Sequence, residues 1–271
     1  MDLRSYFDQL PPDTEQRVEE VCKRWKRPAM EALRRSTGLR LNLEGRAVGS
    51  AEEDVEIPVE VVEGMPRGVM SVLERLPESD ESGNPLWWMA RVELDLLGVY
   101  HYSGQFDNMS LVGRYLLSLP GAGAQSCVRL FWQMIGLVAP TLGSNTSDLA
   151  LVVLIHELAH GLTHLGMDLD GWRWPSGAFT EAEVPVKEGL AQYFTERTLK
   201  RLGQEATGAS WAYMELLRHQ PGPYQVHQNW LRDYCPEAVR SALLASRHRD
   251  PCTLQQFEME AREYHFRLNQ P

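Results

Sequence analysis

Cysteine is scarce in this sequence and is never closely paired. The 271 residues include four Cys, at positions 22, 127, 235 and 252, and no C-x-x-C motif. The first residues also lack the basic and then apolar layout of a signal peptide. Dispersed thiols without a secretion signal are typical of a reduced protein, so we expect a cytoplasmic location.

Positive charge and long apolar runs are in short supply too. Lys and Arg number 27 against 37 Asp and Glu, and the net charge at pH 7 is -10. This balance argues against nucleic-acid binding and against attraction to anionic membranes. The one basic patch, residues 23–27 followed by Arg34 and Arg35, is interpreted as a solvated helix face. No continuous apolar run reaches the roughly 18 residues of a membrane span. We expect no nucleic-acid or membrane partner, and no feature indicates an oligomeric state.

The most informative stretch is the apolar segment 149–166, which contains His156-Glu157-Leu158-Ala159-His160. This is the H-E-x-x-H arrangement. Residues four apart on a helix lie on one face with Cβ atoms about 5–6 Å apart, so both imidazoles can bind one Zn²⁺. Glu157 lies about 100° further round the helix, where it is placed to act as a general base and not as a ligand. The alternative is two core histidines with a chance Glu between them.

A catalytic zinc site needs a third protein ligand and one open position. The metzincin spacing fails, because Thr163 and Gly166 stand where that pattern requires Gly and His. His164 lies about 12 Å along the helix from His156, so one ion is not shared by both. We interpret His164 as a residue that supports the metal ligands without binding the ion itself, or as a surface histidine.

The preferred third ligand is Glu188. It lies beside the apolar face of a second predicted helix. Pro185 is placed in the first turn of that helix, where proline is favoured. Gly189 costs roughly 1 kcal/mol inside a helix relative to Ala, which indicates a packing or functional reason for it. Glu181 and Glu183 are rival ligands, but they precede Pro185 in a predicted loop.

Together the two motifs resemble those of the gluzincins, in which H-E-x-x-H on one helix is followed by Glu on the next. Here residues 188–194 supply the E-G-x-A-x-Y-F context of that Glu. A more distant resemblance is to the ImmA/IrrE type of regulatory protease. The resemblance spans roughly residues 90–200. It implies a Zn²⁺ cofactor, a peptide or protein substrate, and hydrolysis of peptide bonds.

The resemblance also implies an α+β fold with a zincin-like core: a small mixed sheet with an edge strand, an active-site helix and a mainly helical C-terminal subdomain. Gluzincins usually draw a Tyr or His that stabilises the oxyanion from that subdomain. Tyr224 and His227 are the candidates here, with Tyr213 and Tyr234 behind them. The predicted catalytic residues are therefore Glu157, Tyr224 and His227, and the predicted metal ligands are His156, His160 and Glu188.

For domain organisation we predict an N-terminal mixed helix and strand region, 1–85, followed by the metallopeptidase domain, 86–271. The boundary lies at the Pro-, Ser- and acid-rich residues 77–85. Within the second domain, residues 86–166 form the sheet and active-site helix, and residues 167–271 form the helical part.

The predicted elements are a helix at 13–37 with a kink or break at Pro28, strands at 39–43 and 57–62, a hairpin of 98–102 with 108–112, a helix at 127–140, and C-terminal helices near 208–219, 224–233, 236–247 and 253–267.

The competing function is a non-catalytic or regulatory zincin-like module that binds a protein partner. Glu157 argues against it, because a purely structural zinc site has no use for a base beside an open position. Structural sites also tend to close with a fourth ligand, often Cys. No Cys lies near either motif.

Overall fold

The computed structural model describes residues 7–41, 56–63, 97–102, 126–169, 171–220 and 222–270. These residues form three strands, β1 (Val59–Val62), β2 (Gly98–His101) and β3 (Cys127–Phe131). Their helices are α1 (Thr14–Thr37), α2 (Trp132–Thr141), α3 (Thr146–Leu165), α4 (Ser176–Glu181), α5 (Val184–Leu202), α6 (Thr207–His219), α7 (His227–Asp233), α8 (Pro236–Ser246) and α9 (Leu254–Leu268). Short 3₁₀ turns occupy Gly203–Ala206 and Gly222–Tyr224.

The described strands form one small mixed sheet in the order β1-β3-β2. Strand β3 is central. It pairs parallel to β1, with Val59 opposite Val128, and antiparallel to β2, with Tyr100 opposite Val128. All five residues of β3 are buried. The expected α+β class is therefore confirmed at this coarse level, as a mostly helical protein with a small mixed sheet.

Helix α3 is the central element of the core. Every residue from 149 to 164 is buried, and the helix packs against α1, α5, α6 and the strands β2 and β3. It begins where the Asn145 side chain accepts a hydrogen bond from the Asp148 amide at 2.8 Å, and Gly166 caps its end. Helix α3 is long and apolar enough to cross a membrane, but 89% of its most apolar stretch is buried inside the protein, as in the core helix of a soluble protein.

Helix α1 runs through Pro28 without the break that was considered possible. Its basic patch is largely compensated by ion pairs. Lys23 lies 3.1 Å from Glu19 and Lys26 lies 2.8 Å from Glu56, whereas Trp25 is buried. These contacts fit a solvated helix face.

Two predictions for secondary structure are wrong. Residues 127–140 are not one helix, because β3 occupies the first part and α2 begins only at Trp132. A strand buried on both faces is mostly apolar, and β3 is so apart from Arg129, which pairs with Glu60 at 2.8 Å. Periodicity does not separate such a short run from a buried helix. In the region predicted as a strand at 39–43, the described residues form only an isolated bridge between Arg40 and Met167.

The C-terminal helices are confirmed within a few residues, apart from the segment near 224–233, which divides into a 3₁₀ turn and α7. The boundary at 77–85 and the hairpin strand at 108–112 lie outside the described residues, and the division at residue 85 stays a prediction. Helix α1 nevertheless packs against α3 and α5, and β1 pairs with β3. The described parts of residues 1–85 therefore share one core with the rest.

A buried arginine stabilises the C-terminal end of the central helix α3. Arg247, which follows α8, is 2% exposed. Its guanidinium donates to the carbonyl of Thr163 at 3.0 Å, to that of Gly166, and to that of Trp172 at 3.1 Å. The last carbonyls of a helix have no partner within the helix, and a cation there also complements the helix dipole. Arg247 thus fixes both the end of α3 and the loop that follows it.

We predict that Arg247→Met lowers the free energy of unfolding by about 2–4 kcal/mol, because the carbonyls of Thr163 and Gly166 lose a charged donor in the interior. Urea unfolding measures the change. The matched control is Arg218→Met, whose side chain is 66% exposed and pairs with Glu215. It should shift stability by less than about 0.5 kcal/mol. Equal effects in the two variants would contradict this role for Arg247.

Candidate metal centre

The three predicted ligands come together in the core. His156 and His160 project from one face of α3, and Glu188 reaches them from the first turns of α5. The His156 and His160 Nε2 atoms are 3.1 Å apart, and the Glu188 Oε2 atom lies 3.2 Å from the first and 3.4 Å from the second. Among the described residues, this is the one group of three or more such side chains close enough to hold a metal ion.

These distances fit the expected ion. In a tetrahedral site with bonds of about 2.0–2.1 Å, ligand atoms are separated by 1.63 times the bond length, or about 3.3–3.4 Å. Two nitrogens and one carboxylate oxygen also form a donor set that Zn²⁺ accepts in catalytic sites. The same contacts serve as hydrogen bonds to Glu188 when the imidazoles carry the protons.

Burial and mutual contacts together set the protonation states of His156 and Glu188, the pair that joins α3 to α5. Burial lowers the pKa of His156 to about 4, although Glu188 acts in the opposite direction. Burial alone would raise the pKa of Glu188, but the charge of His160 and hydrogen bonds from both histidines outweigh it and hold the pKa well below its usual range. A neutral imidazole and an ionised carboxylate are the forms that bind a metal.

Glu157 lies on α3 outside the three-atom group, as expected of a residue that is not a ligand. It is 2% exposed and packs against strand β2. A Cβ atom at Gly98 would lie 3.1 Å from the Glu157 Cγ and 2.5 Å from the Val153 Cγ1. Glycine at position 98 therefore allows β2 to approach α3 closely at the residue predicted as the base.

The rival ligands lie elsewhere. Glu181 and Glu183 are exposed, and the Glu183 carboxylate accepts a hydrogen bond from the Leu254 amide at 2.8 Å, at the start of α9. Neither belongs to the three-atom group.

His164 is buried, so the alternative that placed it on the surface is wrong. Its Nδ1 lies 2.9 Å from the Tyr100 hydroxyl and its Nε2 lies 3.1 Å from the Ser176 hydroxyl. The ring stacks on Phe179 with centroids 4.6 Å apart. Burial lowers the pKa of His164 to about 3, so the ring is neutral. It joins β2 and α4 to the central helix, one turn beyond His160.

Of the two predicted oxyanion-stabilising residues, Tyr224 packs beside a metal ligand. It is 3% exposed, and its ring centroid lies 6.3 Å from that of His156. His227 is fully buried, and both ring nitrogens are engaged: Nδ1 lies 2.9 Å from the Tyr224 carbonyl oxygen, and Nε2 lies 2.9 Å from the Tyr213 hydroxyl. The catalytic roles of both residues stay predictions. Tyr234 is only half-buried, and its ring packs 6.1 Å from that of His265.

Sequence reasoning did not identify Glu196 as a neighbour of His227. Its Oε2 lies 3.6 Å from the His227 Nε2. The sequence signal that could have identified it is its position on α5, two turns beyond Glu188 and close to the same helix face.

Packing explains why a glycine occurs at position 189 inside a helix, as its sequence position suggested. A Cβ atom there would lie 2.5 Å from the Val226 Cγ2 and 2.6 Å from the Trp230 Cη2. The absence of a side chain at this position lets the start of α7 rest on α5, immediately beside the ligand Glu188.

Comparison with models of protein families, with curated proteins and with solved structures finds no match to this chain. The assignment of the site therefore depends on its own geometry and chemistry.

We predict that Gly189→Ala destabilises the protein by about 1–3 kcal/mol, because the added methyl group overpacks the contact with Val226 and Trp230. Thermal or urea unfolding measures the loss. The control is Gly177→Ala in the exposed first turn of α4, where an added Cβ meets nothing within 4 Å. That variant should be neutral or slightly stabilising. A Gly189→Ala protein as stable as the wild type would show that the close approach is not required.

Proposed function

We propose that this protein is a zinc-dependent metallopeptidase of the gluzincin type. The observation that carries the proposal is the meeting of His156, His160 and Glu188 from two helices, with Nε2 and Oε2 atoms 3.1–3.4 Å apart and Glu157 next to one ligand in the chain. Three protein ligands leave one coordination position for water or substrate, which distinguishes a catalytic zinc site from a closed structural one.

The fold is compatible with a zincin-like core. The small mixed sheet lies against the helix that carries the H-E-x-x-H motif, and β2 contacts that helix at Glu157. We further propose a cytoplasmic protein that acts on a peptide or protein substrate. The four cysteines, all of which are free and three of which are buried, support this location.

In the proposed reaction, a zinc ion held by the three ligands would supply a Lewis acid that makes water acidic and polarises the scissile carbonyl. The Glu157 carboxylate accepts a proton from the attacking water and then transfers it to the leaving amine nitrogen. The Tyr224 hydroxyl is the group we assign to donate a hydrogen bond to the developing oxyanion. The apolar surroundings of α3 strengthen these interactions by excluding water.

The test is Glu157→Gln, which keeps the size of the side chain and removes the base. We predict that the variant retains its metal and loses at least about 100-fold in turnover, since general base catalysis contributes about 10²–10⁴-fold. Metal content by elemental analysis and cleavage of an unstructured protein substrate such as casein are measured on the same samples. Glu181→Gln, an exposed carboxylate between the two ligand helices, is the matched control and should retain wild-type turnover.

Normal turnover in Glu157→Gln would show that Glu157 is not the base. Metal binding without cleavage in the wild type, across a broad set of peptides, would favour the non-catalytic module that binds a protein partner.

A further inference from the structure

The segment Gly222–Asp233 is fixed to α5 beside the metal centre. Its Val226 and Trp230 side chains fill the space left by Gly189, and Trp230 is fully buried. Because Gly189 directly follows the ligand Glu188 in the chain, the position of this segment is tied to the position of that ligand.

Hydrogen bonds fix the same segment internally. The Tyr224 carbonyl oxygen is an acceptor only, so the His227 Nδ1 must carry the proton that it donates at 2.9 Å. In the neutral ring, Nε2 is then an acceptor for the Tyr213 hydroxyl at 2.9 Å. The Glu196 carboxylate lies 3.6 Å from that nitrogen. In this state both Nε2 and the carboxylate are acceptors, so Glu196 does not hold the ring, and we call Tyr213 and His227 the positioning network.

Tyr224 connects the network to the metal ligands. His227 bonds to the Tyr224 backbone, and the Tyr224 ring lies 6.3 Å from the His156 ring at an angle of 34°. Both rings are buried, so a shift of the turn that carries Tyr224 would alter the packing of His156.

His156 has particular need of such packing. A metal-binding histidine usually donates its second ring N–H to a carboxylate or carbonyl, and that bond sets the orientation of the ring. The His156 Nδ1 is buried, and it has no hydrogen-bond partner in the described part of the chain. Apart from the Nε2 contacts with Glu188 and His160, packing against neighbours such as Tyr224 is then what orients the imidazole.

We propose that Tyr213 and His227 are positioning residues that hold Tyr224 against His156 and so set the orientation of this metal ligand. His227 therefore acts through Tyr224 and does not itself contact the substrate. The proposal rests on the metal centre of the proposed function, but not on its hydrolytic step.

The experiment uses the full chain reloaded with Co²⁺, whose visible absorption reports the geometry of the ligands, together with Zn²⁺ affinity from competition with a chelator. The variants are Tyr213→Phe, which removes one oxygen atom, His227→Leu, and His227→Asn, whose amide N–H can replace Nδ1 as the donor to Tyr224. We expect Tyr213→Phe and His227→Leu to alter the Co²⁺ spectrum and to weaken Zn²⁺ binding by about tenfold or more. His227→Asn should restore much of both.

The matched control is Tyr102→Phe. It also removes a buried tyrosine hydroxyl, one that lies 3.0 Å from the Thr180 hydroxyl, and it should leave the spectrum and the affinity unchanged. If His227→Leu does not fold, Tyr213→Phe carries the test, with circular dichroism as the check on folding.

Wild-type spectra and affinities in Tyr213→Phe and His227→Leu, or equal changes in Tyr102→Phe, would overturn the proposal and leave the metal centre intact. A wild-type protein that binds neither ion would overturn both. A metal site that responds to Tyr213→Phe in a protein without peptidase activity would support the positioning network and contradict the hydrolytic function.

Discussion

The structure depends on one constraint: helix α3 is buried from Leu149 to His164 and yet carries four ionisable side chains in that stretch, His156, Glu157, His160 and His164. A buried polar group without a partner costs several kcal/mol, so each must be matched from another element. Glu188 on α5 meets His156 and His160, Tyr100 on β2 meets His164, and Arg247 meets the last carbonyls of the helix. The arrangement of β2, α5 and the end of α8 around α3 follows from these pairings.

The parts of the fold that sequence reasoning predicted are those with local causes. The spacing of His156 and His160 acts through helix geometry alone, and Pro185 marks the first turn of α5. The last helix is similarly local, because Thr253 and Gln256 form a capping box at its start. Glu188 was predicted from a motif on this locally defined helix, and the structure brings it to both histidines.

The parts that were missed depend on contacts between residues distant in the chain. Strand β3 is buried on both faces because neighbouring elements cover both, and its Arg129 pairs with Glu60 at 2.8 Å; a short sequence run does not reveal these partners. His164 is buried through Tyr100, 64 residues earlier, and the positioning network joins Tyr213 to His227 across a turn. No local pattern encodes such pairs, since each polar group finds its partner only after the helices have packed.

The most direct test of the central claim is the metal content of the purified protein, compared between the wild type and Glu188→Ala by elemental analysis. The account predicts close to one zinc per chain in the wild type and a large loss in the variant, while Glu181→Ala, an exposed carboxylate outside the cluster, keeps its zinc. Undiminished zinc in Glu188→Ala, or none in the wild type after reloading with metal, would contradict the assignment of this buried cluster as a metal centre.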